Sequence, residues 1–163
     1  EFGRGGAEEI PYDDGTFDLV SMIKSLHHVP LDEIDRAFKE MHRVLKPGGR
    51  AFILEPVFMG DFNEVIRVYH DEEKVRLAAF EATKRAADSR LFEVVEERHF
   101  LTENRYRDFA EFERKHIGVT HTDHHLTPEQ YAEVQRRFAK HATPEGAKFL
   151  QPLRVDLLAK KPL

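Results

Sequence analysis

Two adjacent histidines, His27 and His28, follow a short apolar segment, Phe17–Ile23. Imidazole changes its charge near neutral pH, so a histidine at the end of a buried strand can act as a general base or contact a substrate. A histidine in a turn can also simply hydrogen-bond the helix that follows, and this is the commoner role. The sequence leaves both interpretations open for this pair.

A second group of histidines surrounds Asp123 in and beside a polar stretch, Gly118–Leu126. Its members are His116, His121, His124 and His125. These side chains are of the type that binds metal ions, but their spacing along the chain does not fix a tetrahedral site. We therefore expect a solvated loop with no metal, or a lid if the loop borders the substrate.

Other common chemistries are excluded by residue type. The sequence has no cysteine, which excludes disulfides, thiolate metal sites and cysteine nucleophiles. Its serines, Ser21, Ser25 and Ser89, do not lie in the G-x-S-x-G motif of a hydrolase elbow. A glycine-rich phosphate loop ending in Gly-Lys-Ser/Thr is also absent.

The composition favours a small-molecule substrate. The formal net charge is −5, and the basic residues are interspersed with acidic ones rather than gathered in the patch that nucleic acid requires. No apolar run approaches the ~20 residues of a membrane span, and no signal peptide is visible. We therefore expect no nucleic-acid or membrane partner, and a cytoplasmic location.

The elements around the first two histidines form a recognisable unit. Phe17–Ile23 is typical of a strand that is buried on both faces. Apolar residues at helical spacing predict a helix over about 31–46, which Pro47–Gly49 ends in a turn. Its apolar stripe is Ile34, Ala37, Phe38, Met41, Val44 and Leu45. With a second buried strand at Ala51–Leu54, the pattern predicts a parallel βαβ unit.

The rest of the chain alternates helices and strands. Asp61 and Glu64 suggest a capping box for one long helix that runs to about Asp88. A strand is predicted over Leu91–Arg98 and a final strand over Phe149–Ala159. Helices are predicted over 107–115 and from Thr127, where Thr127-Pro128-Glu129-Gln130 is a strong helix start. The predicted fold class is α/β.

Residues 7–56 resemble the second half of the cofactor domain in class I S-adenosylmethionine-dependent methyltransferases, closest to the ubiquinone-type methylase group. Four segments match in order: Ala-Glu-x-x-Pro from Ala7, Phe-Asp-Leu-Val from Phe17, Leu-His-His-Val from Leu26, and Arg-Val-Leu-Lys-Pro-Gly-Gly-Arg from Arg43. The resemblance covers about a third of the chain. It implies a Rossmann-like sheet with a helical insertion after the fifth strand of the family.

The resemblance also implies a site. Ligands of open parallel sheets lie beyond the carboxyl ends of the strands. In this family, the stretch that corresponds to Ser21–His28 lies along the methionine part of S-adenosylmethionine and faces the substrate. Ser21, Met22 and Lys24 are therefore expected to bind the cofactor, His27 the substrate, and His28 to be the catalytic base. The loop beside the adenine corresponds to Ala7 and Glu8, although Gly6 stands where the family often has Asp.

The glycine-rich turn and the ribose-binding acid of the family have no counterpart in this sequence. The segment Gly3-Arg4-Gly5-Gly6 does not open a helix, so it is not that turn. We therefore expect an N-terminally truncated single domain, with 1–57 as the second half of the cofactor subdomain and 58–163 as helical cover and C-terminal strands. Such a chain would bind the methyl donor poorly by itself.

Two functions are consistent with this reading. The first is methyl transfer from S-adenosylmethionine to a small-molecule nucleophile, mainly by proximity and orientation with help from a general base. The second is a non-catalytic, truncated module that self-associates. Without the strands that precede it in the family, Phe17–Ile23 becomes a sheet edge, and exposed apolar edges seek another chain. A homo-oligomer formed through this edge, or by swapped elements, is the expected partner.

Overall fold

The structure is a computed structural model that describes residues 5–119 and 124–162. These residues form two compact units. The first contains residues up to 57 together with 73–100 and 153–163, and the second contains 58–72 and 101–152. The chain passes from the first unit to the second after residue 57 and returns to the first at residue 73 and again at residue 153.

The predicted βαβ unit is present. Strand β1 spans Phe17–Ile23, a 3₁₀ turn spans Leu26–His28, helix α1 spans Ile34–Val44 and strand β2 spans Leu45–Pro56. β1 and β2 are parallel, with Val20 opposite Ala51 and Met22 opposite Ile53. The helix ends and the strand begins earlier than predicted, so the Pro-Gly-Gly segment lies within β2, where Gly48 has a positive φ of 78°.

The remaining strands complete a sheet in the order β1-β2-β5-β3. β3 spans Phe92–Tyr106 and β5 spans Gly146–Lys160, while the short β4, Ala142–Thr143, pairs with β5. β5 is antiparallel to β2, as predicted for the final strand. β1 is an outer strand of this sheet, and its Leu19 and Ile23 side chains are 56% and 60% exposed. The predicted α/β class and edge position of β1 are confirmed.

Each unit has its own apolar core. In the first unit, the predicted stripe of α1 is buried against the sheet. The second unit is centred on an aromatic cluster, whose buried members include Phe62, Tyr106, Phe112, Phe138 and Phe149. Since burial of a large aromatic side chain is strongly favourable, each cluster supplies the main stabilisation of its unit.

The prediction of one long helix over 61–88 is wrong. The structure has two helices, α2 at Asp61–Ile66 and α3 at Glu73–Asp88. The helices bury their apolar faces in different cores, α2 in the second unit and α3 in the first. The capping box is also absent, because Gly60 precedes α2 with a φ of 89° and no side chain caps the helix.

Two further helices belong to the second unit. α4 spans Phe109–His116 and α5 spans Pro128–Ala139. The predicted capping box of α5 is confirmed: Gln130 N donates to Thr127 Oγ1 at 3.2 Å, and Thr127 N donates to Gln130 Oε1 at 3.0 Å. Among the helices of residues 5–119 and 124–162, none has the length and apolar character needed to cross a membrane.

Candidate functional site

The candidate site begins where β1 ends. Lys24 has a left-handed φ of 53°, which turns the chain sharply after Ile23. The N–H of Lys24 still donates to the Leu54 carbonyl at 2.7 Å, so the turn stays attached to β2. The 3₁₀ turn follows, in which His28 N donates to the Ser25 carbonyl at 3.1 Å. The carboxyl ends of two parallel strands therefore meet at this turn, where such sheets bind ligands.

Glu55 holds the turn together from the end of β2. Its Oε1 accepts hydrogen bonds from the backbone N–H of Ser25 at 3.0 Å and of Leu26 at 2.7 Å. Its Oε2 is hydrogen bonded to His27 Nδ1. The sequence patterns did not single out Glu55 as a functional residue. Its place directly after a predicted parallel strand was the signal available, because the ends of neighbouring parallel strands lie side by side.

The two histidines of the turn have different environments. The His27 side chain is buried and faces Glu55, whereas His28 is exposed. The two rings remain close, with centroids 4.1 Å apart. Of the pair, His28 is the one whose ring is accessible to a small molecule in solution, and His27 is the one that carboxylate contact fixes in place.

A cavity of about 290 Å³ lies beside the carboxyl half of β1. It is lined by Gly5, Gly6, Ala7, Ile10, Pro11, Tyr12, Val20, Ser21, Met22, Ser25 and Met41. The structure thus brings together three of the predicted cofactor residues, Ala7, Ser21 and Met22. Glu8 and Lys24 do not line this cavity, nor do the two histidines. The cofactor-binding roles of Glu8 and Lys24 and the roles of the two histidines stay predictions.

The wall that precedes β1 is fixed to α1 by Arg43. Its guanidinium donates to both carboxylate oxygens of Glu40, to the carbonyls of Ile10 and Tyr12, and to Asp14, all at 2.8–2.9 Å. This contact lowers the pKa of Glu40 to about 2. Arg43 is the first residue of the Arg-Val-Leu-Lys-Pro-Gly-Gly-Arg segment. Through this arginine, the segment holds the cavity wall in place, in addition to forming the bend at Pro-Gly-Gly.

Among the described members of the second histidine group, His116, His124 and His125 form no cluster of three potential metal ligands. His121 and Asp123 lie outside the described residues. His116 is hydrogen bonded through Nε2 to the Tyr106 hydroxyl at 2.7 Å, and burial lowers its pKa to about 4. His116 is therefore neutral at physiological pH and packs as part of the aromatic cluster of the second unit. The loop expected over Gly118–Leu126 lies partly outside the described residues, and its role as a solvated loop or a lid stays a prediction.

Comparisons with known proteins agree with the resemblance stated above. A family model described as a methyltransferase domain matches residues 1–53. The mitochondrial 2-methoxy-6-polyprenyl-1,4-benzoquinol methylase of Rattus norvegicus is 51% identical over 51 residues, 31% of this chain and 15% of the relative. The ubiquinone/menaquinone biosynthesis C-methyltransferase of Idiomarina loihiensis is 51% identical over 52 residues, 32% of this chain and 20% of the relative. The chain therefore spans a fifth or less of the length of these curated relatives.

The fold is also similar to a solved methyltransferase structure. The crystal structure of a putative methyltransferase from Bacillus halodurans matches with a TM-score of 0.62 at 18% identity, covering 98% of this chain and 71% of that one. At this identity the similarity concerns the fold. The Rossmann-like fold class and the resemblance to class I methyltransferases of the ubiquinone type are confirmed.

Proposed function

We propose that this chain, whose first third carries a methyltransferase-domain segment, forms one wall of an S-adenosylmethionine pocket and takes part in methyl transfer to a small molecule. The observation that carries the proposal is the cavity at the end of β1, because Ala7, Ser21 and Met22 line it and lie within the matched segment. The position agrees with the general location of ligands in open α/β sheets.

The cavity suits part of this cofactor. Ile10, Val20, Met22 and Met41 offer apolar surface to a flat ring, and the polar residues Ser21 and Ser25 also line the cavity. The volume of about 290 Å³ is at the lower end for small-molecule sites, which agrees with a partial pocket and weak binding. When bound, S-adenosylmethionine supplies a methyl group on a positively charged sulfur, and the residues of the chain orient it and exclude water.

The substrate class is proposed as a small molecule. One relative is named as a benzoquinol methylase and the other as a C-methyltransferase of ubiquinone/menaquinone biosynthesis. The family model matches residues 1–53 and leaves the whole second unit uncovered. Quinol-like rings are therefore the first group of methyl acceptors to test. The cytoplasmic location stays a prediction.

We expect S-adenosylmethionine to bind this chain weakly and to shift the methyl NMR signals of Ala7, Met22 and Met41, while Met59 serves as an internal control outside the cavity. Val20→Phe, on the same face of β1 as Met22, should narrow the cavity and remove the shifts. Thr16→Leu, at an exposed position before β1, should leave them unchanged. Unchanged Ala7 and Met22 signals at saturating ligand would contradict the proposal. They would instead favour the second candidate, a non-catalytic module that associates through the exposed edge of β1.

His28 is proposed as the general base, since its ring is exposed beside the ends of both parallel strands. In methyl-transfer assays with an accepting small molecule, His28→Ala should lower turnover by about 10²-fold or more, the size expected for loss of a positioned base. Its unfolding free energy should change little, because the side chain is exposed. His99→Ala, at an exposed histidine of β3 that does not line the cavity, is the matched control. Turnover that survives His28→Ala intact would assign His28 to the turn alone.

A further inference from the structure

The outer edge of β3 lacks a partner strand within the described part of the chain, although it is long and partly apolar. β3 lies at the end of the sheet opposite β1. Every side chain from Glu93 to Leu101 is exposed. The apolar ones include Val94 at 45%, Val95 at 50% and Phe100 at 41% exposure. An edge of this kind is a template for pairing with another strand.

The residue pattern of this edge is complementary to itself. Side chains alternate between the two faces of a strand. If two copies of β3 pair antiparallel around Glu97, then Val94 of one copy lies opposite Phe100 of the other, and Glu96 lies opposite Arg98. The two-fold symmetry repeats both pairs, so one face carries two apolar pairs and two pairs of opposite charge. Cross-strand pairs of both kinds are stabilising.

Neighbouring registers lack this match. A shift by one residue would pair side chains from opposite faces of the sheet. A shift that centres the pairing on Glu96 places Glu96 opposite itself and Val94 opposite Arg98. A shift that centres it on Arg98 places that residue opposite itself and Glu96 opposite Phe100, although it also pairs Val95 with Leu101 and Glu97 with His99. Each of these registers has one like-charged pair at its centre, and the register centred on Glu97 is the one that adds two Glu–Arg pairs of opposite formal charge.

The residue at the centre is compensated within its own chain. Glu97 accepts a hydrogen bond from His99 Nε2 at 2.8 Å and from Arg154 Nη2 at 3.0 Å. The contact with His99 holds the pKa of Glu97 below its usual value. Glu97 thus stays charged beside the guanidinium of Arg154 and the ring N–H of His99, and these contacts reduce its repulsion from the same residue of a second copy. On this face Val95 then lies opposite His99.

We propose that β3 is a homodimer interface, in which residues 94–100 of two copies pair antiparallel around Glu97 and extend the sheet. The interface is at the edge opposite β1, and it needs neither S-adenosylmethionine nor the proposed methyl transfer. The result of a test of one proposal therefore does not decide the other.

The test uses charge reversal of the pair that the register places across the interface. Glu96→Arg alone sets arginines opposite each other, and Arg98→Glu alone sets glutamates opposite each other. Each variant should weaken dimerisation about tenfold or more in sedimentation velocity over a concentration series. An equimolar mixture of the two variants should dimerise again, because each Arg then faces a Glu. The double variant E96R/R98E should dimerise by itself.

The control is Arg105→Glu, which reverses a charge of the same strand outside the paired segment and should leave dimerisation unchanged. Thermal unfolding should be similar for all variants, because the Glu96–Arg98 ion pair within one chain is exposed. The proposal is overturned if the unaltered chain stays monomeric, if either single variant dimerises as well as the unaltered chain, or if the mixture of single variants stays monomeric.

Discussion

Arg154→Met is expected to lower the unfolding free energy by about 3–5 kcal/mol, because it leaves a buried carboxylate without its ion-pair partner. Asp156 is 4% exposed in the middle of β5, opposite Ile53 of β2. Arg154 donates to both of its carboxylate oxygens, at 2.8 and 2.6 Å. The guanidinium also lies over the Phe80 ring, 4.3 Å from its centroid.

The pH dependence of this loss has a defined sign. Burial raises the pKa of Asp156 above its usual value of 3.8. A carboxyl with a raised pKa in the folded state costs stability as the pH rises from the unfolded value through the folded one. Without Arg154 the pKa rises further. The deficit of Arg154→Met should therefore be full at pH 7 and should shrink as the pH approaches 4, measured by urea unfolding at several pH values.

Two comparisons separate this cause from a general loss of packing. The double variant R154M/D156L removes the buried charge and should recover most of the stability, since well-packed apolar residues can replace a buried ion pair. Lys46→Met breaks the exposed Lys46–Asp18 pair and should cost less than about 1 kcal/mol. A deficit that is the same at pH 4 and pH 7 would argue against the buried charge as its cause.

The elements that sequence patterns predicted correctly are those whose signals are local. The stripe of α1 repeats at helical spacing, and the capping box of α5 lies within four residues. The break between α2 and α3 is not local. Each half has a helical pattern of its own, and nothing in the sequence says that the two apolar faces belong to different cores. The lengths of β3 and β5 were underestimated for a similar reason, since pairing extends them past their apolar centres.

The same distinction applies to the candidate site. The rule that ligands lie beyond the strand ends led to Ser21 and Met22; both line the cavity, and their role in cofactor binding stays a prediction. Glu55 contacts residues about 30 positions earlier in the chain, through a register that sets Ile23 opposite Leu54. A strand pattern predicts that two strands are parallel neighbours but does not give their register. The contact between Glu55 and the turn could therefore be identified only once the structure gave the strand register.

Glu55→Ala is expected to lower the unfolding free energy by about 2–6 kcal/mol, because the N–H groups of Ser25 and Leu26 both lose their acceptor and each unsatisfied group costs about 1–3 kcal/mol. His27 loses the contact of its Nδ1 as well. Since Ser25 lines the cavity, the loosened turn should also weaken the shifts that S-adenosylmethionine induces at Met22.

Local and global effects of Glu55→Ala can be separated by amide hydrogen exchange. The amide of Leu26 should exchange much faster in the variant, whereas amides in the second unit should follow the global unfolding free energy alone. Glu55→Gln keeps one side-chain oxygen as an acceptor, so it should retain part of the protection and part of the stability. Glu81→Ala, on the exposed face of α3, controls for the loss of a carboxylate. Unchanged exchange of Leu26 in Glu55→Ala would show that the turn holds its shape without this carboxylate, and that its order comes from the packing of Leu26 instead.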